Sequence, residues 1–328
     1  MNILVANNKL ERVGGTEIYT LSLIKELKNQ GHNVEYFTRR RGVISERIEK
    51  ELGVCFKSKK QYDLILANHN KIVRQLFFKA NGPIIQTIHG ITPRVEKPSI
   101  FADCYVAISR EIKEYLNNKY HLSSEVILNG IDCNKFKPIT EINTKLNTVL
   151  SLSQSEEANT IIEEACEIVG VDFIKANKQS KTVVKDVLEI INKSDLVVGL
   201  GRSAYEAMAC ARPVIVFDCR KYMGNRGDGY LNEVIDESII YNCSGRSFNK
   251  KFEINDLVCE LEKYNKSDGQ TLREYILKNL EISKQVAKYL EINTTTRSSL
   301  ISKIFSKKQL IKLKFIKYNN ENYNNKFR

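Results

Sequence analysis

Asp195-Leu196-Val197-Val198-Gly199-Leu200-Gly201-Arg202-Ser203-Ala204-Tyr205-Glu206-Ala207-Met208-Ala209-Cys210-Ala211-Arg212-Pro213-Val214-Ile215-Val216-Phe217 is the stretch on which the fold turns. Two short runs, Asp195–Val198 and Pro213–Phe217, read as buried strands because each is apolar and bounded by Gly or Pro. Between them lie a glycine turn and a helix-forming segment, Ala204–Cys210. A strand, a tight turn, a helix and a second strand make the repeating unit of a parallel sheet. In such sheets ligands bind at the carboxyl ends of the strands, where loops lead into helix N-termini. Ser203 is therefore expected to cap the helix, whose first-turn amides would hold a pyrophosphate. Glu206 would accept hydrogen bonds from ribose hydroxyls, and Arg202 would neutralise phosphate oxygens. The plainer alternative is a structural unit carrying a surface Glu and Arg.

Working outward, the same rhythm fills most of the chain. Ile3–Ala6 reads as a strand and Glu17–Asn29 as a helix with Ile18, Leu21, Ile24 and Leu27 on one stripe. Gly31 ends that helix, and Asn33–Thr38 is the next strand. Further strands are expected at Leu64–Ala67, Ile84–Ile88, Tyr105–Ile108 and Glu125–Leu128, with helices between most of them. After Pro138 the polar segment Ile139–Leu146 suits a linker, and the pattern restarts. Strands at Thr148–Leu152 and Asp172–Lys175 alternate with helices at Glu156–Val169 and Val183–Asn192. Helical segments at Ile254–Tyr264 and Gln270–Glu291 close this half. The expected division is 1–138 and 147–291, two doubly wound α/β units, followed by a tail, 292–328.

Three more loops follow strands. Arg12-Val13-Gly14-Gly15-Thr16-Glu17 pairs two glycines with a helix start, which lets a ligand approach the backbone, or simply makes a tight turn. It is not the GxGxxG of dinucleotide binding. Thr87-Ile88-His89-Gly90 puts a histidine at a strand end, where imidazole can hydrogen-bond a sugar; an isolated histidine is also commonly structural. His69, after another strand, is a weaker candidate, and His32 reads as structural. Leu128-Asn129-Gly130-Ile131-Asp132, with Phe136 and Pro138, is a turn that sits just before the linker.

Composition narrows the class. The 328 residues are 42% hydrophobic and 27% charged, as in ordinary globular proteins. Eight cysteines, Cys55, Cys104, Cys133, Cys166, Cys210, Cys219, Cys243 and Cys259, show no CxxC pair, so reduced buried thiols are expected rather than disulfides or zinc. No leader peptide and no apolar run long enough for a spanning helix is evident, and the expected compartment is the cytoplasm. The net charge is +12, and residues 293–328 hold nine Lys or Arg against Glu321 alone. Within that tail, Ser298–Tyr318 has the pattern of a basic amphipathic helix, with Leu300, Ile301, Ile304, Phe305, Ile311 and Phe315 near one face. It would lie on anionic lipid at the inner face of the membrane, or pack on the body. No nucleic-acid-binding motif accompanies it.

The ordered set Gly14-Gly15-Thr16-Glu17, Gly31-His32-Asn33-Val34, His89-Gly90, Asn129-Gly130-Ile131-Asp132 and Glu206-Ala207-Met208-Ala209 with Pro213-Val214-Ile215 resembles family 4 glycosyltransferases of the GT-B fold. The resemblance implies two Rossmann-like domains facing an interdomain cleft. It also implies a sugar moved from a nucleotide-sugar donor, such as a UDP- or GDP-sugar, to a glycan or lipid-linked acceptor with retention. It assigns Glu206 and His89 to catalysis, and Gly14, Gly15, Gly201, Arg202, Ser203, Ala204, Glu206, Ala207 and Asn129 to the donor. It implies no metal and no cofactor. Three positions depart from the family pattern. Val198 stands where a second Glu is common, Leu150–Glu157 lacks the usual Arg and Lys, and Ala211 replaces a Gly. Arg202 is the expected substitute clamp, with Arg220 or Lys221 behind it. A nucleotide-sugar binding protein with impaired catalysis and a nucleotide-sugar epimerase of the same fold remain the alternatives.

Overall fold

The computed structural model describes residues 1–92, 94–176, 187–220 and 224–292. The amphipathic segment 298–318, the start of the helix expected from Val183, and Lys221 lie outside the described residues. Contacts divide the chain into two compact units. One holds Met1–Val106, Leu116–Glu125 and, of the described residues, 286–292; the other holds Ala107–Tyr115 and Val126–Gln285.

The first unit is built on strands β1 (Asn2–Asn7), β2 (Asn33–Thr38), β3 (Leu64–Asn68), β4 (Ile84–Ile88), β5 (Cys104–Ala107) and β6 (Glu125–Val126). Its helices are α1 (Gly15–Asn29), α2 (Val43–Leu52) and α3 (Asn70–Lys79), with the end of α4 (Arg110–Tyr120), whose first residues belong to the other unit. The sheet order is β2-β1-β3-β4-β5-β6, with β1 paired in parallel to both β2 and β3. The chain thus leaves β1 in one direction and returns to its other side. This reversal between β1 and β3 is the topological switch point, where such sheets bind ligands. Strands β3 and β4 are buried at every position. The core gathers Leu4, Ile65, Ile72, Leu76 and Ile84.

The second unit repeats the plan with β7 (Thr148–Ser151), α5 (Glu156–Val169), β8 (Asp172–Lys175), α6 (Val187–Asn192), β9 (Leu196–Val198), α7 (Arg202–Ala209) and β10 (Val214–Arg220). It adds β11 (Gly224–Tyr230), α8 (Leu231–Ile240), α9 (Ile254–Glu262) and α10 (Lys266–Asn279). A last helix, α11, covers 282–292, of which 286–292 belong to the first unit. The order β11-β10-β9-β7-β8 puts the switch point between β7 and β9. Alternate residues serve opposite layers. Leu150, Val197, Val214 and Val216 join one core, and Val149, Leu196, Val198, Ile215 and Phe217 the other. Both faces of this sheet are therefore covered.

Several expectations are revised. β11 runs antiparallel to β10, so the second sheet is not wholly parallel. The single helix expected over Gln270–Glu291 is two, because Ile131 pairs with the backbone at the break: its N–H donates to the Leu280 carbonyl at 2.9 Å, and its carbonyl accepts from Ile282 at 3.0 Å. Gly130 makes this approach possible, since a Cβ there would lie 2.8 Å from the Ile282 Cα. The segment Ile139–Leu146, expected as a linker, is hydrogen-bonded along its length to its neighbours. Asp195 accepts from the amides of Asn143, Asn147 and Thr148 at 2.9–3.0 Å, and the buried Arg212 donates to the Thr140 carbonyl at 2.9 Å. No helix among the described residues is long and apolar enough to cross a membrane.

Ala211, just past α7, has φ +54, the left-handed region in which a Cβ costs about 1–2 kcal/mol. Ala211→Gly is expected to raise the unfolding free energy by about 1 kcal/mol, measured by urea titration. An unchanged midpoint would show that the strain is relieved elsewhere.

Candidate functional site

At the carboxyl edge of the first sheet, polar side chains from β1, β3 and β4 meet those of α1. The Thr20 hydroxyl donates to the Thr16 carbonyl at 2.7 Å. With its one proton so used, it accepts from Asn7 Nδ2 at 2.9 Å and Asn68 Nδ2 at 3.0 Å. Asn68 must then turn its Oδ1 the other way, where it meets His89 Nε2 at 3.0 Å. This order of donors fixes the His89 tautomer: Nε2 carries the proton and Nδ1 is an acceptor. The ring lies edge-on to Tyr19, centroids 4.7 Å apart. Tyr19 and Thr87 in turn hydrogen-bond the Tyr289 hydroxyl at 2.7 and 3.0 Å.

Glu96, only 6% exposed, locks this corner. Its Oε2 accepts the His89 backbone N–H at 2.8 Å, and its Oε1 lies 3.2 Å from His69 Nε2. His69 caps α3 with φ +71, and its buried Nδ1 has no partner among the described residues. Burial pushes the His89 imidazole down to about 4, the nearby Glu96 carboxylate only partly opposing it and His69 adding to it. His89 is therefore a neutral imidazole at physiological pH, suited to accept a hydrogen bond from a hydroxyl rather than to carry charge. Gly14 and Gly15 begin α1 at the same edge. A Cβ at Gly15 would meet nothing within 4 Å, so the chain itself does not demand glycine there.

The carboxyl edge of the second sheet carries a cavity of ≈ 750 Å³ at its switch point. Residues 152–157 after β7, Leu200 and Ser203 beside the α7 start, and Asp218, Cys219 and Arg220 ending β10 line it. Gly201, φ +52, starts α7. Ser203 is not the cap: its hydroxyl donates to the Leu200 carbonyl at 2.8 Å and accepts the Leu200 amide at 3.1 Å, tying the turn to itself. The Ser203 amide is likewise donated to the Leu200 carbonyl at 3.1 Å. Ala204 and Ala207 face the core, so only their backbone could serve a ligand.

The charged groups here already hold one another. Arg202 Nε donates to Glu206 Oε1 at 2.8 Å, one helical turn on. Arg220 Nε donates to Asp218 Oδ2 at 2.7 Å, and Asp218 also accepts from Ser153 Oγ at 2.6 Å. Glu156 and Glu157 add negative charge to the wall, the former bonded to Lys175 at 2.9 Å. Val198 is 1% exposed in the layer formed with Ala158 and Ile162. A Glu there would be buried among apolar side chains, so Val198 is a core position and not a gap in the cavity. Asn129 is buried with its Oδ1 lacking a partner among the described residues.

The structure brings His89 together with Asn68, Glu96 and Tyr19, and Glu206 with Arg202. No pattern in the chain marks Thr20, Glu96 or Asp218 in advance. Asn68 adjoins the weaker candidate His69, and that adjacency was the one available signal.

The fold is that of GT-B glycosyltransferases. AviGT4, a glycosyltransferase involved in avilamycin A biosynthesis, superimposes with a TM-score of 0.53 at 12% identity, over 89% of this chain and 97% of that one. The catalytic domain of starch synthase IV from Arabidopsis thaliana, bound to ADP and acarbose, gives 0.54 at 12% identity over 90% and 99%. An α-glucosyltransferase in complex with UDP and a 13-mer DNA containing a central A:G mismatch gives 0.55 at 13% identity over 90% and 100%. No protein-family model and no curated protein sequence matches the chain.

The low His89 value has a consequence for stability. Between about pH 6.5 and about pH 4 the unfolded imidazole binds a proton that the native one refuses, so stability falls as pH drops through that window. Urea unfolding at several pH values is expected to show this slope in the wild type and a shallower one in His89→Gln. Equal slopes would mean that the ring titrates normally.

Proposed function

We propose that the protein is a glycosyltransferase that moves a sugar from a nucleotide-sugar donor to an acceptor hydroxyl. The observation that carries this reading is the GT-B fold with equipment at the carboxyl edge of both sheets: a neutral, tautomer-fixed His89 on one and a ligand-sized cavity on the other. A pocket of that volume accommodates a nucleotide sugar. In this reading the second-unit cavity takes the donor's nucleotide and diphosphate. The positive end of α7 at Gly201 and the Arg220 guanidinium would meet the developing negative charge of the leaving diphosphate. Glu206 would bind the ribose hydroxyls, accepting their protons in hydrogen bonds. His89 Nδ1 would accept a hydrogen bond from a hydroxyl of the transferred sugar. Gly14 and Gly15 leave the α1 terminus open to close approach, and Asn129 Oδ1 offers an unsatisfied acceptor. The sequence resemblance favours retention of anomeric configuration. Transfer without a metal is proposed because the α7 terminus and Arg220 supply positive charge.

One observation favours a second reading, a nucleotide-sugar binding protein with impaired transfer. Both candidate cations already have a carboxylate partner, Arg220 on the cavity wall with Asp218 and Arg202, outside the lining residues, with Glu206. A diphosphate would have to compete for them.

A thermal-shift screen against UDP-, GDP-, ADP- and TDP-sugars tests the donor site, since a ligand selective for the native state raises its apparent stability. Glu206→Ala is expected to weaken the selected donor by roughly ten- to a hundredfold, the loss of a charge-assisted contact. His89→Ala is expected to lower turnover with little change in donor affinity, read by titration calorimetry beside product formation. Failure of every nucleotide sugar to bind the wild type would end the reading. Donor binding with neither transfer nor hydrolysis would select the second one.

A further inference from the structure

The first sheet has another cavity that donor chemistry leaves unused. Asn8 and Lys9 after β1, Arg39 and Arg40 after β2, Lys71 in the first turn of α3, and Val95 enclose ≈ 370 Å³. Four of these six residues are cations. Arg40 has a loose partner in Glu11 at 3.7 Å. Lys9, Arg39 and Lys71 make no ion pair with any described residue.

The frame that crowds these charges is built rather than incidental. The Arg39 amide donates to the Asn8 carbonyl at 3.3 Å, and the Leu10 amide to the Arg40 carbonyl at 2.9 Å. The two loops are thereby stitched backbone to backbone. The Val43 amide adds a bond to the Glu11 carbonyl at 3.1 Å. Gly42 is required by the same approach, because a Cβ there would lie 2.7 Å from the Glu11 Cα. The loops hold like charges around a concavity at some electrostatic cost. A concave wall of one sign focuses the field and attracts an ion of the other. Guanidinium forks and ammonium groups converging on one small space match the oxygens of a phosphate or diphosphate.

The cavity lies beside the switch point, at the carboxyl ends of β1 and β2. His89 ends β4, separated from β1 by β3 alone. Two strand spacings amount to about 10 Å, the span of a sugar joined to a phosphate group. We propose that this basic cavity binds the phosphate or diphosphate of a phosphorylated acceptor, anchoring it through Lys9, Arg39, Arg40 and Lys71 with its reactive hydroxyl toward His89. The inference rests on the glycosyltransferase reading for the word acceptor; the anion site stands on its own residues. It selects against uncharged glycans, which would leave these cations without counter-ions.

Titration calorimetry with inorganic pyrophosphate, a hexose phosphate and the uncharged hexose tests it. The two phosphate compounds are expected to bind, more weakly as salt rises, and the hexose is not. In Arg39→Gln and Lys71→Gln, affinity for both is expected to fall about tenfold each, and further in the double variant, with melting temperatures unchanged because the side chains are exposed. Binding undiminished in the double variant places the anion elsewhere and overturns the proposal, as does equal binding of the hexose. Sedimentation with phosphatidylcholine vesicles, with and without a polyprenyl diphosphate, distinguishes the sources. Capture by the diphosphate alone identifies a lipid-borne acceptor, and hexose-phosphate binding without capture identifies a soluble one. A wild type that binds nucleotide sugars but no phosphate compound overturns this inference only. One that binds phosphate at these residues and no nucleotide sugar overturns only the glycosyltransferase reading.

Discussion

A single buried carboxylate, Glu96, holds together the corner of the first sheet on which the candidate chemistry depends. One oxygen receives the His89 backbone amide and the other faces the His69 ring. Burial alone would raise a carboxyl group's pKa, yet the hydrogen bond from His69 and the two nearby imidazoles hold it below its ordinary range. The charge is stable there because its lone pairs are used, not because water reaches it. With the His89 main chain pinned by Glu96 and its ring by Asn68, the imidazole keeps one orientation and one tautomer. Pre-organisation of this kind is what separates a binding group from a surface histidine.

The strands were legible in the sequence wherever burial imposes a pattern. Val149 and Leu150, or Ile215 and Val216, belong to opposite layers, and runs apolar on both faces mark a covered parallel strand. β11 was illegible for the opposite reason. Gly224-Asn225-Arg226-Gly227-Asp228-Gly229-Tyr230 has no apolar alternation, and its place comes from backbone pairing with β10 and from Phe252 packing over Gly227. The break between α10 and α11 shows only as a change of stripe, from Ile276 and Leu280 to Ile282, Val286 and Tyr289, and no Gly or Pro marks it. Only a tertiary contact, the Ile131 backbone, interrupts the helix. Glu96 and Thr20 could not be found at all, since a polar network is defined by which groups meet in space.

The departures from the glycosyltransferase pattern also change meaning once placed. Val198 looked like a lost carboxylate, but its side chain fills a core layer against α5. Ala211 stands where a Gly is common, and its backbone keeps the left-handed geometry that glycine usually supplies. The missing basic pair after β7 is a different matter. Ser153, Glu156 and Glu157 stand in that loop and line the cavity, so the change there reaches the surface a ligand would touch.

That cavity therefore poses a problem of exchange rather than of absent charge. Arg220 is held by Asp218, and Asp218 is held by Ser153, in a short chain across the ends of β10 and β7. Under the proposed function, an incoming diphosphate would have to displace a carboxylate that is already well placed, so part of its attraction to the guanidinium would be cancelled. The same carboxylate fixes the guanidinium's direction before the ligand arrives, which lowers the ordering cost of binding. A cavity arranged in this way discriminates against simple anions, which gain too little from one shared cation. It favours a ligand that brings further contacts of its own to the same wall.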